Sequence, residues 1–155
     1  MGDEGPFILI VENDDGLRSD YRTWLVEEGL RVLVAANGLE ALELSRMHRP
    51  SLILMNLDLP GLDGWEATRV LRRDPRLQTI RVVALTSRAA KMRDSDGRSA
   101  GCNAALRTPI RRQALIAVVR RFVPETAHDS LVRLQSPAPH APVARHWLML
   151  GRKRT

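Results

Sequence analysis

Short apolar segments alternate with amphipathic segments along the first 124 residues of the chain. The apolar segments have the length and composition of strands buried on both faces of a parallel sheet. They are FILIV (7–11), RVLVAA (31–36), LILM (52–55), VVAL (82–85) and the weaker NAAL (103–106). The segments between them repeat apolar positions at helical spacing. The alternation predicts five strands and five helices in an α/β fold, with helices on both faces of a parallel sheet.

Capping residues and helix breakers predict where the helices begin and end. The first three predicted helices run from Asp14 or Asp15 to Gly29, from Asn37-Gly38 to Pro50, and from Asp63 to about Arg73. The fourth is predicted over residues 88–100, with Gly101 as its stop, and the last runs from Pro109 to Pro124. In the first helix, helical spacing relates Leu17, Tyr21, Trp24, Leu25 and Glu28. In the second, Leu39, Leu42 and Met47 are expected to form a partly apolar face. The last helix carries the clearest apolar stripe, at Leu115, Val118, Val119 and Phe122.

The chain divides at Pro124 into a domain over residues 6–124 and a tail over residues 125–155. The tail has three prolines between residues 137 and 142 and no sustained periodicity, so we expect it to be disordered and flexible. It ends in an apolar patch, HWLML (146–150), followed by GRKRT. The patch is compatible with a docking peptide, a weak amphipathic anchor, or an ordinary chain terminus.

Charge and cysteine content limit the classes of function. Half of the net charge of +6 lies in the tail, which therefore keeps nucleic-acid binding open. No basic stripe with interleaved aromatic residues supports that class, so a nucleic-acid partner is not the main expectation. The single cysteine, Cys102, predicts a buried thiol in a reducing cytoplasm. No apolar run reaches membrane-spanning length, so no membrane association is expected.

Polar side chains follow the predicted strands. In a parallel α/β sheet the functional crevice lies beyond the carboxyl ends of the strands. The residues at those positions are Glu12-Asn13, Asn56, Thr86-Ser87 and Arg107-Thr108. We therefore expect these residues to converge into one site.

Residues 6–123 resemble the receiver domain of bacterial two-component response regulators. The resemblance rests on ILIVENDDGLR, ANGLEAL, PSLILMNLDLPGLDGWE, VVALTS, the AG at 100–101, and LRTPI, in that order along the chain. It implies the flavodoxin-like (βα)5 doubly wound fold with strand order 2-1-3-4-5. It also implies phosphoryl transfer from a phosphohistidine of a kinase to an aspartate after the third strand. In such receivers two acidic residues after strand one help to hold Mg²⁺, and a Thr or Ser and a Lys bind the phosphoryl oxygens.

This chain departs from that pattern at three positions. Asn56 stands at the acceptor position, Asn13 replaces one acid beside Glu12, and Thr108 stands where the Lys is expected. Thr86 keeps the Thr position. An amide nitrogen is not a nucleophile, and the affinity of such sites for Mg²⁺ depends on ligand charge. We therefore expect a pocket without catalytic residues or cofactor, in which Mg²⁺ binding is weak or absent.

Two acids could restore the lost chemistry. Asp58 lies two residues after Asn56 and would point to the same side if the strand continued. It stands, however, where receivers supply a metal-binding backbone carbonyl. Asp14 and Asp15 could refill the metal site, although helix capping explains them as well.

The function expected from the sequence is that of a stand-alone pseudo-receiver, not an enzyme. It would bind proteins independently of phosphorylation, with a sensor kinase or another regulator as partner. The surface of the fourth helix, fifth strand and fifth helix, which receivers use for dimers and targets, is the expected interface. Its candidate residues here are Ile116, Val119 and Val123. A working receiver with an unusual acceptor, and a nucleic-acid or small-ligand module on the same scaffold, remain as alternatives.

Overall fold

The computed structural model describes residues 6–87, 100–123 and 149–150. The strands are β1 (Phe7–Val11), β2 (Arg31–Ala35), β3 (Leu52–Asn56), β4 (Arg81–Thr86), β5 (Ala104–Arg107) and β6 (Met149–Leu150). The helices are α1 (Asp15–Glu27), α2 (Gly38–His48), α3 (Gly64–Arg73) and α4 (Arg112–Phe122).

The strands form one parallel sheet with the order β2-β1-β3-β4-β5-β6. The first five strands confirm the flavodoxin-like order 2-1-3-4-5 expected from the sequence. The sixth strand was not predicted, since it comes from the tail. Strand β1 lies between β2 and β3, which places the topological switch point beyond its carboxyl end.

Two hydrophobic cores lie on opposite faces of the sheet. Successive side chains of a strand point to opposite faces, so Leu9 and Ile53 join the core that α2 and α3 cover. Ile8 and Leu54 join the core that α1 and α4 cover. All four side chains are fully buried. The near-continuous apolar strands are explained by this double burial.

The predicted helix starts in the first half of the chain are confirmed by their caps. Asp14 accepts a hydrogen bond from the backbone N–H of Leu17 at 2.9 Å. Asn37 does the same for Glu40 at 2.9 Å, and Asp63 accepts the N–H of Glu66 at 2.8 Å. These side chains satisfy backbone donors that have no partner within the helix.

Parts of the predicted helical pattern are wrong. Helix α4 begins at Arg112, not at Pro109. Leu39 and Met47 of α2 are exposed to 65% and 73%, and Leu17 of α1 to 40%. Helix α2 instead packs through the face that includes Gly38, where a Cβ atom would collide with the backbone oxygen of Leu62.

The proposed interface residues of the last helix are mostly core residues. Val119 and Val123 are buried in the core between α1, α4 and the sheet, so they offer no accessible surface. Ile116 is partly buried against the same core. This corrects the expectation that Val119 and Val123 face a partner, because both belong to the stripe with which α4 covers the sheet.

Some sequence predictions fall outside the described residues. One is the helix predicted over residues 88–100, of which only Ala100 is described. The other is the disorder predicted for the tail over 125–155, of which only β6 is described. Within the described ranges, no helix is both long and apolar enough to span a membrane. Cys102 is a buried free thiol, as predicted.

Candidate functional site

The sheet brings the polar residues that follow β1, β3, β4 and β5 to one edge. Val11 pairs with Met55, so Glu12 and Asn56 follow neighbouring strands at the same level. Asn56 in turn pairs with Leu85, the residue before Thr86. The backbone N–H of Thr108 donates to the carbonyl oxygen of Thr86 at 3.0 Å. The convergence predicted from the sequence is therefore present in the backbone.

The centre of the site is a side-chain hydrogen bond between Asn56 and Glu12. The amide nitrogen Nδ2 of Asn56 donates to both Glu12 oxygens, Oε1 and Oε2, at 3.0 Å each. The same nitrogen donates to Oδ1 of Asn13 at 3.2 Å. Two amide hydrogens are thus shared among three oxygens that belong to the positions of the acid pair.

The orientation of the Asn56 amide is fixed from its other side. Its Oδ1 accepts a hydrogen bond from the backbone N–H of Asp58 at 2.9 Å. A rotated amide would place an N–H group against that donor and a carbonyl oxygen against the Glu12 carboxylate. Both contacts would be repulsive, so the NH₂ group faces Glu12.

Glu12 is a buried acid whose side chain is held by hydrogen bonds. Glu12 is only 2% exposed, and its Oε1 also accepts the backbone N–H of Asp14 at 3.1 Å. Arg18 donates to the backbone carbonyl oxygen of Glu12 at 2.9 Å and pairs with Asp15. Burial, and next the charge of Glu12, raise the pKa of Tyr21 to about 12.

The two threonines and Asp58 occupy distinct positions at this edge. Thr86 is buried, whereas Thr108 is partly exposed and precedes Pro109 through a cis peptide bond. Asp58 is exposed, and its backbone N–H makes the described contact with Asn56. Strand β3 ends at Asn56, so the alternation that would have turned the Asp58 side chain into the pocket does not continue.

Gly64 allows α3 to begin directly against the end of β3. A Cβ atom at Gly64 would collide with the backbone oxygen of Asn56 and would lie 2.8 Å from the Cα atom of Leu57. The N–H of Gly64 donates to the carbonyl oxygen of Leu57 at 3.3 Å. The loop that carries Asn56 and Asp58 is therefore held close to the sheet.

The arrangement does not fit the Mg²⁺ ion of an intact receiver. Mg²⁺ requires oxygen ligands, usually including carboxylates, in a near-octahedral shell. Here an N–H donor points at the oxygens of Glu12 and Asn13, where a cation would have to bind. Across residues 6–87, 100–123 and 149–150, no group of three His, Cys, Asp or Glu side chains could hold a metal ion. Asn56 also lacks the ionised oxygen that attacks phosphorus.

The contribution of Arg18 was not predicted from the sequence. Its guanidinium group connects α1 to the backbone of Glu12, six residues earlier. The contact depends on how the loop from β1 to α1 turns, and no short motif encodes it. The bond from the Asp58 N–H to Asn56 was missed for the same reason.

Comparisons with known proteins agree on the family. The model for the response regulator receiver domain matches residues 8–120. The polar-differentiation response regulator DivK of Brucella anthropi is 35% identical over 116 residues, covering 75% of this chain and 94% of DivK. The receiver domain of the sensor histidine kinase PA1611 of Pseudomonas aeruginosa, solved with a magnesium ion in its active-site cleft, is 30% identical. It superposes with a TM-score of 0.71, covering 78% of this chain and 99% of that one.

A second similar structure is a complex. The co-crystal structure of the Saccharomyces cerevisiae histidine phosphotransfer protein Ypd1 with the receiver domain of Ssk1 matches at 26% identity and a TM-score of 0.69. The match covers 77% of this chain and 89% of that chain. The sheet order, the converging strand ends and these matches together lead to one conclusion: the chain belongs to the response regulator receiver domain family.

Proposed function

We propose that this receiver domain binds signalling proteins independently of phosphorylation. The observation that carries the proposal is the pair of 3.0 Å hydrogen bonds from the Asn56 amide to Glu12. In an intact receiver a metal ion would neutralise the carboxylates at this place. Here a neutral amide satisfies the buried Glu12, so the pocket is stable without a cation or a phosphoryl group.

The absent lysine supports the same proposal. A lysine at position 108 would bring a positive charge to an edge where two carboxylates have been replaced by amides. Glu12 is the one acid that remains of the three, and its oxygens already accept the Asn56 amide, so this charge would lack the carboxylates that balance it in an intact receiver. Asn13, Asn56 and Thr108 therefore form a self-consistent neutral set, which supports a pocket with a structural role.

The proposed partner is a protein of two-component signalling, either a sensor kinase, a phosphotransfer protein or another regulator. Membership of the family supports this class, and the yeast complex is an example of a phosphotransfer protein with a receiver domain. Leu17, which is 40% exposed, provides an apolar contact point on α1, three residues after the N-cap Asp14. We further propose that the domain works in the cytoplasm, where the thiol of Cys102 stays reduced.

Titration calorimetry against the histidine phosphotransfer protein of the same cell tests the proposal. The dissociation constant should agree within about twofold with and without acetyl phosphate and Mg²⁺, because the pocket has no switch to respond. A dissociation constant that changes more than about tenfold with acetyl phosphate would contradict the proposal. The Leu17→Glu variant should weaken binding, and Arg22→Glu, at an exposed α1 position, is its matched control.

A further inference from the structure

The two outer strands of the five-stranded receiver sheet differ in exposure. On one side, Arg31 to Val34 of β2 are all partly exposed. On the other side, Ala104, Ala105 and Leu106 of β5 are completely buried. An edge strand normally leaves a row of backbone groups open to pairing with other chains. Strand β5 does not, because β6 borders it.

Strand β6 is formed by the end of the tail's apolar patch. Met149 pairs with Ala105 and Leu150 with Leu106, in the parallel direction. These two residues end HWLML, which the receiver fold does not account for. Ala105 itself belongs to the core that α2 and α3 cover, so what it offers to β6 is its backbone.

We propose that the outer edge of β5 is a strand-docking surface, occupied in the same molecule by the C-terminal segment at Met149–Leu150. Addition of a strand to a sheet edge is a recurrent mode of peptide recognition, in which backbone hydrogen bonds supply the affinity. Two residues of β6 pair with β5, and residues 123–148 tether β6 to α4, so the tether raises the effective concentration of the segment at this edge. While β6 is docked, the backbone groups of this edge are not available to another strand. This inference does not depend on the chemistry of the Asn56 pocket.

Hydrogen–deuterium exchange on the full chain tests the docking. The double variant Met149→Pro/Leu150→Pro removes both backbone donors of β6 and disfavours strand pairing there. Amides in peptides covering residues 104–107 should exchange at least tenfold faster in this variant, while those of β1 keep their protection. The control Ala144→Pro, in the same tail, should leave exchange at 104–107 unchanged. Unchanged exchange in the double variant, or equal acceleration by the control, would overturn the proposal.

A competition experiment tests whether the tail occupies its own edge. A fluorescent peptide of residues 146–151 should bind the full-length double-proline variant at least tenfold more tightly than the unaltered chain. Equal affinity for the two proteins would overturn occupancy by the tail. Protection of residues 104–107 should also be independent of protein concentration. Protection that grows with concentration, together with a dimeric mass, would assign the segment to a second copy and overturn docking within one molecule.

Discussion

The side-chain amide of Asn56 donates hydrogen bonds to both carboxylate oxygens of Glu12, at 3.0 Å each, across 44 positions of sequence. On the proposed assignment, the two residues occupy the positions of the phosphoacceptor and of one metal-binding acid. The contact joins the ends of β3 and β1 through a neutral amide. This hydrogen bond needs no metal ion.

Asn56→Asp should destabilise the fold in metal-free buffer. The Asp58 N–H would hold one oxygen of the new carboxylate, and the other would face Glu12, where the amide now donates. Loss of a hydrogen bond to a charged group, with added repulsion, should lower the free energy of unfolding by about 1.5–3 kcal/mol. Urea denaturation with and without Mg²⁺ measures this effect.

The matched control is Asp58→Asn, an exposed side chain two residues away, which should change stability by less than about 0.5 kcal/mol. Added Mg²⁺ should recover part of the loss in Asn56→Asp and leave the unaltered chain unchanged. An Asn56→Asp variant as stable as the unaltered chain without metal would show that the contact with Glu12 does not hold the loop.

The triple substitution Asn13→Asp, Asn56→Asp and Thr108→Lys should restore Mg²⁺-dependent phosphorylation by acetyl phosphate. It returns an ionised nucleophile, a second metal-binding carboxylate and a balancing cation to the same edge. Asn56→Asp alone should be phosphorylated poorly, because its metal site is incomplete. Phosphate-affinity electrophoresis compares the two variants. A triple variant that binds Mg²⁺ no better than the unaltered chain would mean that these positions are wrongly assigned.

Arg72→Ala should destabilise the domain strongly, although Arg72 is remote from the pocket. Its guanidinium group donates to the carbonyl oxygens of Gly101 at 2.8 Å and Ile80 at 2.7 Å. It also donates to Oδ1 of Asn103 at 3.0 Å, which fixes the entry to β5. Partial burial also lowers the pKa of the Arg72 guanidinium group.

Removal of these bonds should cost about 2–4 kcal/mol in the free energy of unfolding, measured by urea denaturation. Arg73→Ala, at the exposed neighbouring position, should cost less than about 0.5 kcal/mol. Similar losses in the two variants would show that the guanidinium contacts contribute nothing specific.

Ionisation of the buried Cys102 thiol should destabilise the fold at alkaline pH. Burial raises the pKa of its thiol to about 11 in the folded chain, above the ordinary value of 9.0. Because the folded chain binds the thiol proton more tightly than the unfolded chain, the protonated thiol stabilises the fold. This contribution is complete below about pH 9 and is lost as the pH rises through 11. Over that window the free energy of unfolding should fall by about 2–3 kcal/mol, as measured by denaturation at fixed pH.

Cys102→Ala is the control, since it removes this titration and leaves that of Tyr21, whose pKa is raised from 10.0 to about 12 and whose contribution is lost between those values. The variant should show a shallower decline between pH 9 and 11. An alkaline decline of the same slope in both proteins would contradict the assignment to Cys102.

Local patterns predicted the strands and most helix starts because strand composition and capping act over a few residues. The apolar run before Asn56 and the cap at Asp63 are examples. The pattern failed for Leu39 and Met47, since apolar spacing alone does not say which face of α2 approaches Leu62. Long-range contacts were not predicted either. The side chain of Arg72 donates hydrogen bonds to four acceptors, which lie up to 31 positions away along the chain.

Residue types predict the chemistry of the pocket but not its geometry. The amide of Asn56 is the basis for the prediction that this position accepts no phosphoryl group. The direction in which its amide points follows from the Asp58 N–H on one side and Glu12 on the other, and only the folded chain brings these together. Pairing of Met149 with Ala105 depends on a similar long-range meeting.

The most direct test of the account is the intact mass of the protein after incubation with acetyl phosphate and Mg²⁺, with a phosphorylatable receiver domain as positive control. We expect the control to gain a phosphoryl group and this chain to gain none. A labile phosphoryl adduct that requires Mg²⁺ would contradict the central claim, and its position would show whether Asp58 or another acid had replaced Asn56 as the acceptor.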